Sequence, residues 1–529
     1  MENLVRVIGE LLEEGAKKCG DKTFLYFKDE KVSYRELNVT TNQVSNGLLK
    51  LGGKKGDNVS IMLPNCPEFI YSWFGLAKIG AAMVPVNGLY KGEFLRYIVD
   101  HSDSKTIIMH NQFLERLKLI EKDLPKLERV ILVGGESQLE VKFTVIPFEE
   151  LLKSPDTTPR IEVGQYDVDA IIYTSGTTGP PKGVMRTHGY SCHASTVDTQ
   201  INGSTHDSIL YTCLPLFHQN AQLSTTLPSL IAGASMALGE RFSASHFWDE
   251  IRKYKATQFN FIGAMLNYIY KQPPKENDAD QPARLAVGSP ISKNIYNEFR
   301  KRFNVRFLTG YGLTESGLLA YHHFDEQNPK IDSFGKPSPS FEVKIVDDDD
   351  NEVPPLTVGE IVSRPKVPNV MMSGYYKMPD KTLEVFRNLW FHTGDYGMMD
   401  NDGFCYFVDR KKDYLRVGGE NISSMQVEAT TNSHPKIAES AALGIKLEEG
   451  AEDYMVLYLV LKQGEKLTPE ELMDWCQERL PRFAVPRFVE FLDALPKTPT
   501  ERVEKYKLKE RGIGPNTWDR VEAGYELKR

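Results

Sequence analysis

Cysteine is scarce in this chain of 529 residues: there are six, Cys19, Cys66, Cys192, Cys213, Cys405 and Cys476, and no two form a Cys-x-x-Cys pair. Spread so thinly, they exclude a disulfide framework or a zinc site built on paired thiolates, and they read as reduced thiols. No stretch approaches the roughly 18 consecutive apolar residues needed to cross a membrane. The opening segment "MENLVRVIGELLEEGAKK" carries acids throughout and apolar positions at helical spacing, so it lacks the basic-then-apolar order of a secretion signal. Positive charge is not in excess, with 64 Lys and Arg against 72 Asp and Glu and a net charge of −8. That balance leaves no footprint for sequence-independent nucleic-acid binding. Internal repeats and low-complexity tracts are also missing. These absences point to a cytoplasmic protein with no nucleic-acid partner and no transmembrane segment, and they leave assembly into a homo-oligomer open.

What is present describes a globular chain, 41% hydrophobic and 26% charged, and one too long for a single ordinary core. "NVSIML" (58–63) reads as a strand, "PEFIYSWFGLAKIG" (67–80) as a helix opened by Pro67, and "AAMVPVN" (81–87) as a strand. Further apolar strands recur at "TIIMH" (106–110), "RVILV" (129–133), "DAIIYT" (169–174) and "SILYTCLP" (208–215). Helical segments lie between them, such as "ISKNIYNEFRKRF" (291–303) with Ile291, Ile295, Phe299 and Phe303 on one face. Alternation of this kind predicts an α/β fold with mostly parallel sheets flanked by helices. Character changes near residue 409. Beyond it come a short strand, a Gly-rich turn, the strand "YMVLYLVLK" (454–462) and the helix "TPEELMDWCQERL" (468–480), opened by a capping box from Thr468 to Glu471. The expected division is a large domain, 1–409, and a small α+β domain, 410–529, with "DRKKD" (409–413) at the boundary. The "DDDD" run at 347–350 reads as a solvated hairpin turn.

One stretch can fill no core. "YTSGTTGPPKG" (173–183) holds three Thr, one Ser, three Gly, two Pro and one Lys, and its prolines exclude a helix or central strand. What it offers is backbone N–H groups, hydroxyls and one ammonium, the inventory for a polyphosphate. It follows the strand "DAIIYT", so it should open at the carboxyl end of a sheet, where α/β proteins place ligands. It is not a Walker A loop, because Lys182 is followed by Gly183 where that motif needs Ser or Thr.

This string resembles the signature of the adenylate-forming superfamily, which takes in acyl-CoA synthetases, peptide-synthetase adenylation domains and firefly luciferase. "YGLTES" (311–316), "HTGDYG" (392–397) and "DRKKDYLRVGGENIS" (409–423) follow in that family's order, and the resemblance runs over essentially the whole chain. "NCPEFIYSWFGLAKIGAAMVPVN" (65–87) is similar to crotonobetaine/carnitine–CoA ligases in particular. The resemblance implies two half-reactions. A carboxylate attacks the α-phosphate of Mg-ATP to give an acyl-adenylate and pyrophosphate, and the thiol of coenzyme A then attacks the adenylate.

Site residues follow by the same resemblance. Thr174, Ser175, Gly176, Thr177, Thr178, Gly179 and Lys182 would hold the β- and γ-phosphates. Gly288, Ser289 and Pro290 of "VGSPIS" would lie along the adenine, on which Tyr311, between Gly310 and Gly312, would stack. Thr314 would meet the α-phosphate, and Glu315, a hard oxygen ligand, would hold Mg²⁺. Asp395 would take the ribose hydroxyls, with Arg410 adding a donor. Lys412 stands at the family's hinge, which makes the small domain a mobile lid, and Gly418, Gly419 and Glu420 would then face the pantetheine channel. His218, in "LPLFHQNAQ" (214–222), stands beside the acyl pocket, and that segment lacks the Asp with which amino-acid-activating relatives pair an ammonium. Plainer readings stand beside these: a core tyrosine at Tyr311, a helix N-cap at Thr314 with Glu315 in the first turn, a turn residue at Asp395, a surface ion pair at Arg410 and a core or gate histidine at His218.

One departure stands out. Relatives close with a lysine that bridges the acyl carboxylate and the α-phosphate, and "PKTPTERVEKYK" (496–507) places Arg502 there, with Glu501 at the usual glycine. The charge is kept, but a planar fork replaces a point charge. The expected activity is an ATP-dependent ligase joining a small or medium carboxylic acid to CoA. Rival readings are an acyl-adenylate former that loads a carrier protein, and a weakly active or non-catalytic nucleotide- or acyl-CoA-binding homologue.

Overall fold

The structure is a computed structural model that describes residues 7–135, 138–174, 180–291, 293–326, 329–411, 414–417, 420–445, 454–480, 482–498 and 503–527. Two seven-stranded sheets form its bulk. One runs Arg306–Leu308, Leu285–Ser289, Gln258–Ile262, Ile209–Thr212, Ser235–Leu238, Thr23–Phe27 and Glu30–Ser33, parallel except for its last hairpin. The other runs Thr144–Pro147, Arg129–Val133, Thr106–His110, Asn58–Met62, Ala82–Pro85, Val168–Thr174 and Lys182–Thr187, parallel until the antiparallel edge strand Lys182–Thr187.

Alternation along a strand sends neighbouring side chains to opposite faces. In Thr106–His110, Ile108 enters a core shared with the first sheet, while Ile107 and Met109 enter a second core under the helix Gly92–His101. Both faces of the parallel sheet are therefore covered, which is why its strands read as unbroken apolar runs. The helix Pro67–Lys78 starts at its proline, as expected, and Tyr34–Lys50 packs beside it behind a Ser33–Glu36 capping box.

Beyond these sheets, an antiparallel sheet is built from Phe341–Val346, Gly359–Pro365, Trp390–Met399, Phe386–Arg387 and Cys405–Arg410. A smaller C-terminal domain carries the strands Ile437–Ile445, Tyr454–Leu461, Phe488–Phe491 and Trp518–Asp519 with the helices Ser424–Asn432 and Pro469–Gln477. Among the described residues its apolar clusters draw only on those from Leu415 onward. The Thr468–Glu471 capping box is present.

Several expectations shift in detail. The strand expected at 208–215 is only Ile209–Thr212, since beyond it the Leu214 N–H turns back to Thr212 Oγ1 at 3.1 Å and Pro215 has no N–H to offer a ladder. The helix expected from residue 291 is Lys293–Phe303, which leaves Ile291 outside it. Asp409 and Arg410 of the boundary segment are the last two residues of a strand, paired with Tyr396 and Asp395. The acidic run does turn a hairpin, with Asp347 accepting from the N–H groups of Asp349 and Asn351, but it is more than solvated. Asp348 pairs with Lys411 at 2.9 Å and Asp350 with Arg387 at 3.1 Å.

Candidate active site

The hydroxyl-rich loop joins the antiparallel strands Val168–Thr174 and Lys182–Thr187, with Thr174 opposite Lys182. Because Val168–Thr174 runs parallel to Ala82–Pro85, the loop leaves at the carboxyl end of the parallel strands. Ser175, Gly176, Thr177, Thr178 and Gly179 lie outside the described residues. Both stems of the loop are tied down. The Tyr97 hydroxyl donates to the Pro181 carbonyl at 3.1 Å, and Tyr173 Oη meets His101 Nδ1 at 2.7 Å. Lower on the same hairpin, Arg186 and Asp169 form a fully buried ion pair at 2.8 Å. Arg186 also donates to Gln222 at 2.7 Å, and Gln222 donates to the Leu216 carbonyl at 2.7 Å. One buried guanidinium thus links the loop's stem to the segment that carries His218.

"YGLTES" is a β-hairpin, Gly310–Leu313 against Gly317–Tyr321, so Thr314 and Glu315 sit in its turn and not at the start of a helix. The glycines explain why. Gly317 has φ +67°, and a Cβ on Gly312 would sit 2.1 Å from the Gly317 carbonyl oxygen. The Thr314 carbonyl accepts from Tyr190 Oη at 3.0 Å, and that hydroxyl accepts from Gln219 at 2.9 Å. Ser289 ties the neighbouring strand to this hairpin, donating from Oγ to the Gly310 carbonyl at 2.7 Å and accepting from the Gly310 N–H at 3.2 Å. A Cβ on Gly288 would lie 2.1 Å from the Phe261 carbonyl oxygen, so the backbone ahead of Ser289 and Pro290 packs with no room for a side chain.

Tyr311 is buried, with its ring 4.8 Å from that of Phe334, and its hydroxyl donates to Asp395 Oδ2 at 2.7 Å. Arg410 Nη1 lies 3.0 Å from Asp395 Oδ1. Burial pushes the Asp395 carboxyl up, and the guanidinium acts against that shift. The arginine is therefore more than a surface partner, since its carboxylate is 2% exposed. Among the described residues buried Asp395 Oδ1 has the Arg410 ion pair but no hydrogen bond, so it keeps capacity to accept from a ribose hydroxyl.

Lys182 and Glu315 come together through a residue that neither motif contains. The Lys182 ammonium stands 4.5 Å from the centre of the Tyr375 ring, and the Tyr375 hydroxyl donates to Glu315 Oε1 at 2.9 Å. Among the described residues no cluster of three or more His, Cys, Asp or Glu is arranged to hold a metal. A single carboxylate such as Glu315 suits a cation that brings phosphate ligands with it.

His218 is half-buried, its ring 4.5 Å from that of Phe217, at the head of a helical run whose middle turn, Gln222–Thr226, is π-helical. Glu420 opens the strand Glu420–Ser423, while Lys412, Gly418, Gly419 and Arg502 lie outside the described residues. The structure thus gathers Thr174, Lys182, Thr314 and Glu315 into one neighbourhood and links Tyr311, Asp395 and Arg410 in another, joined by the 310–321 hairpin. Sequence reasoning missed Tyr375, Tyr190 and Arg186. The last had a signal, an arginine in the strand "KGVMRT", whose neighbours alternate toward a core.

The AMP-binding enzyme family matches this sequence over residues 12–376, and the C-terminal domain of AMP-binding enzymes matches 426–502. The chain is 34% identical over 514 residues to a crotonobetaine/carnitine–CoA ligase of Salmonella agona, covering 94% of this chain and 98% of that one. Its counterpart in Proteus mirabilis is also 34% identical, over 515 residues and the same shares. Among solved structures, an anthranilate–CoA ligase in complex with anthranoyl-AMP superposes with TM-score 0.86 at 25% identity, covering 96% of this chain and 97% of that one. The o-succinylbenzoate–CoA synthetase of Bacillus subtilis bound to its acyl-adenylate gives 0.82 at 27%, with 94% and 97% covered. On the extent of these matches, and with its own motifs laid out in the same order, the chain belongs to the AMP-binding enzyme family, the adenylate-forming superfamily.

Proposed function

We propose that this protein is an AMP-forming ligase that joins a small or medium carboxylic acid to coenzyme A. The observation that carries the reading furthest is the meeting of Lys182 and Glu315 at Tyr375, one hairpin away from a buried acceptor at Asp395. A cation for phosphate, a hard ligand for a metal and an acceptor for ribose are what Mg-ATP requires of a site. The named activities of the relatives, crotonobetaine/carnitine–CoA, anthranilate–CoA and o-succinylbenzoate–CoA ligation, support thioester formation on a carboxylic acid.

A carboxylate is a weak nucleophile that must approach an anionic phosphate, so the protein has to neutralise charge and fix an in-line geometry. Lys182 and the hydroxyls of the loop from Thr174 to Gly179 stabilise the β- and γ-phosphates as they leave. Thr314 holds the α-phosphate from the hairpin turn. Tyr311 and the Gly288–Pro290 segment flank the adenine, and Asp395, steadied by Arg410, orients the ribose. Glu315 would hold Mg²⁺, which supplies charge neutralisation on the phosphates. His218, at the head of its helical run, borders the acid.

In this reading the chain divides into 1–409 and 410–529, with the pivot near Lys412. The small domain presents Arg502 for adenylation, then swings Gly418, Gly419 and Glu420 toward the thiol. Adding acids one at a time with ATP and Mg²⁺, and reading AMP release with and without CoA, tests the proposal. AMP release that requires CoA upholds it. Release that requires a carrier-bound thiol and ignores CoA reassigns the acceptor, and no release with any acid rejects the activity.

A further inference from the structure

Three segments far apart in sequence meet at the mouth of the hydroxyl loop: Lys182 on the edge strand, Glu315 in the hairpin turn, and residues 372–376. The last segment is stitched to both of the others through backbone. Met372 N–H donates to the Glu315 carbonyl at 2.7 Å, Met185 N–H to the Gly374 carbonyl at 3.0 Å, and Tyr376 N–H to the Gly183 carbonyl at 2.7 Å. Tyr375 pairs with Val184 across an isolated bridge, and its N–H donates to Thr382 Oγ1 at 2.9 Å. Thr382 belongs to the helix Pro379–Val385, so the tyrosine is pinned from a third direction.

The pinned side chain has two ends of opposite character. Its ring face, negative by quadrupole, carries the Lys182 ammonium at 4.5 Å, and its hydroxyl donates to the Glu315 carboxylate at 2.9 Å. Burial and the Glu315 charge both push the phenol up, in keeping with its place as the donor to Glu315. Among the described residues no direct ion pair joins Lys182 to Glu315. A direct pair would have to be broken each time nucleotide entered, with a large cost in a site of low dielectric.

We propose that Tyr375 is a positioning residue that keeps these two charges apart and aimed before nucleotide arrives, holding Lys182 by its ring face for phosphate and Glu315 by its hydroxyl for the metal. This rests on the reading of the site as one for Mg-ATP. The two halves of the side chain separate by mutation. Tyr375→Phe keeps the ring and loses the hydroxyl, whereas Tyr375→Leu loses both.

Titration calorimetry of ATP, once in EDTA and once in Mg²⁺, reads the two roles without needing turnover. Tyr375→Phe is expected to bind ATP in EDTA within about twofold of the parent, while the gain in affinity from Mg²⁺ shrinks about fivefold. Tyr375→Leu is expected to lose a further two- to fivefold in EDTA. Should Tyr375→Leu fail to fold, as a thermal melt would reveal, the Phe variant alone decides. A Phe variant that equals the parent in both buffers overturns the proposal, and so does one that loses the same factor in both, since a merely structural hydroxyl would act without regard to metal. A parent that binds no ATP removes the nucleotide reading itself, and this proposal with it.

Discussion

Lys182 is the residue on which the nucleotide reading turns most directly. Its ammonium rests on a tyrosine ring and, among the described residues, pairs with no carboxylate, which suits it to phosphate. Removing one charge-assisted contact of this kind costs about 1.5–3 kcal/mol. Lys182→Ala should therefore slow pyrophosphate release roughly ten- to a hundredfold, with little change in the thermal melt, and equal rates in parent and variant would reassign the residue. Lys182, Thr314 and Glu315 could be proposed from sequence because each lies in a short contiguous string that resembles a family motif. Tyr375 was not legible, because its meaning depends on residues 182 and 315 arriving at its two ends. "SGYYKMPD" alone announces only a turn. The same limit applies to Tyr190, whose hydroxyl matters because a hairpin turn happens to offer it the Thr314 carbonyl.

At the scale of elements, the strands at 58–63, 106–110, 129–133 and 169–174 were read to within a residue from apolar runs, those at 81–87 and 208–215 were drawn too long, and the Thr468–Glu471 capping box and Pro67 fixed two helix starts. "YGLTES" misled in one respect. A Thr followed by Glu suggests a helix N-terminus, yet the glycines on either side permit a close backbone crossing that makes a hairpin instead. Burial of polar side chains was the least legible feature. The helix His188–Ile201 is fastened to the π-helical turn through Asp198, whose carboxylate accepts from Ser224 Oγ at 2.9 Å and from Asn202. Burial pushes this carboxyl up to about 7. Because the folded value lies above the unfolded one, the folded protein binds the extra proton. Its contribution to stability is full below the unfolded value of 3.8 and is lost as pH rises through about 7. The parent's melting temperature should accordingly fall relative to that of Asp198→Asn between pH 5 and pH 8. Parallel curves for the two proteins over that range would mean that Asp198 is ionised in the fold throughout.

For the whole molecule, the decisive relation is between the body and the small domain. Asp409, at the end of a body strand, accepts from Ser424 Oγ at 2.8 Å and from the Met425 N–H at 3.3 Å, capping the first helix of the small domain. The nearest lysines on either side of Arg502 in sequence, Lys497 and Lys505, are already engaged. Lys497 pairs with Glu439 at 2.6 Å, and Lys505 pairs with Glu428 at 2.8 Å while also bonding Ser424. In the proposed reading Arg502 is the group that bridges carboxylate and α-phosphate, and its fork is longer and flatter than the lysine that the family resemblance places there. Arg502→Lys should speed pyrophosphate release, by up to about a hundredfold if the misplacement is of order an ångström, and leave thioester formation from supplied acyl-adenylate nearly unchanged. A slower first step in that variant would mean that this enzyme is adapted to arginine.

The four aspartates at 347–350 reach this same relation from the body's side. Lys411, one residue before the proposed pivot, is held by Glu360 at 3.1 Å and by Asp348 at 2.9 Å. The two anchors differ in their access to water, Glu360 being 5% exposed and Asp348 81%. Dissolved ions screen an exposed pair over about 8–10 Å at ordinary ionic strength and scarcely reach a buried one. The clasp therefore has one strand that salt can loosen and one that it cannot, so, if the small domain swings as proposed, ionic strength should act on that motion as a graded brake with a floor. Turnover measured against added KCl is expected to change and then level off, and Asp348→Asn should start at that level and stay there. A variant that follows the parent across the whole range would show that the hairpin has no hold on the motion.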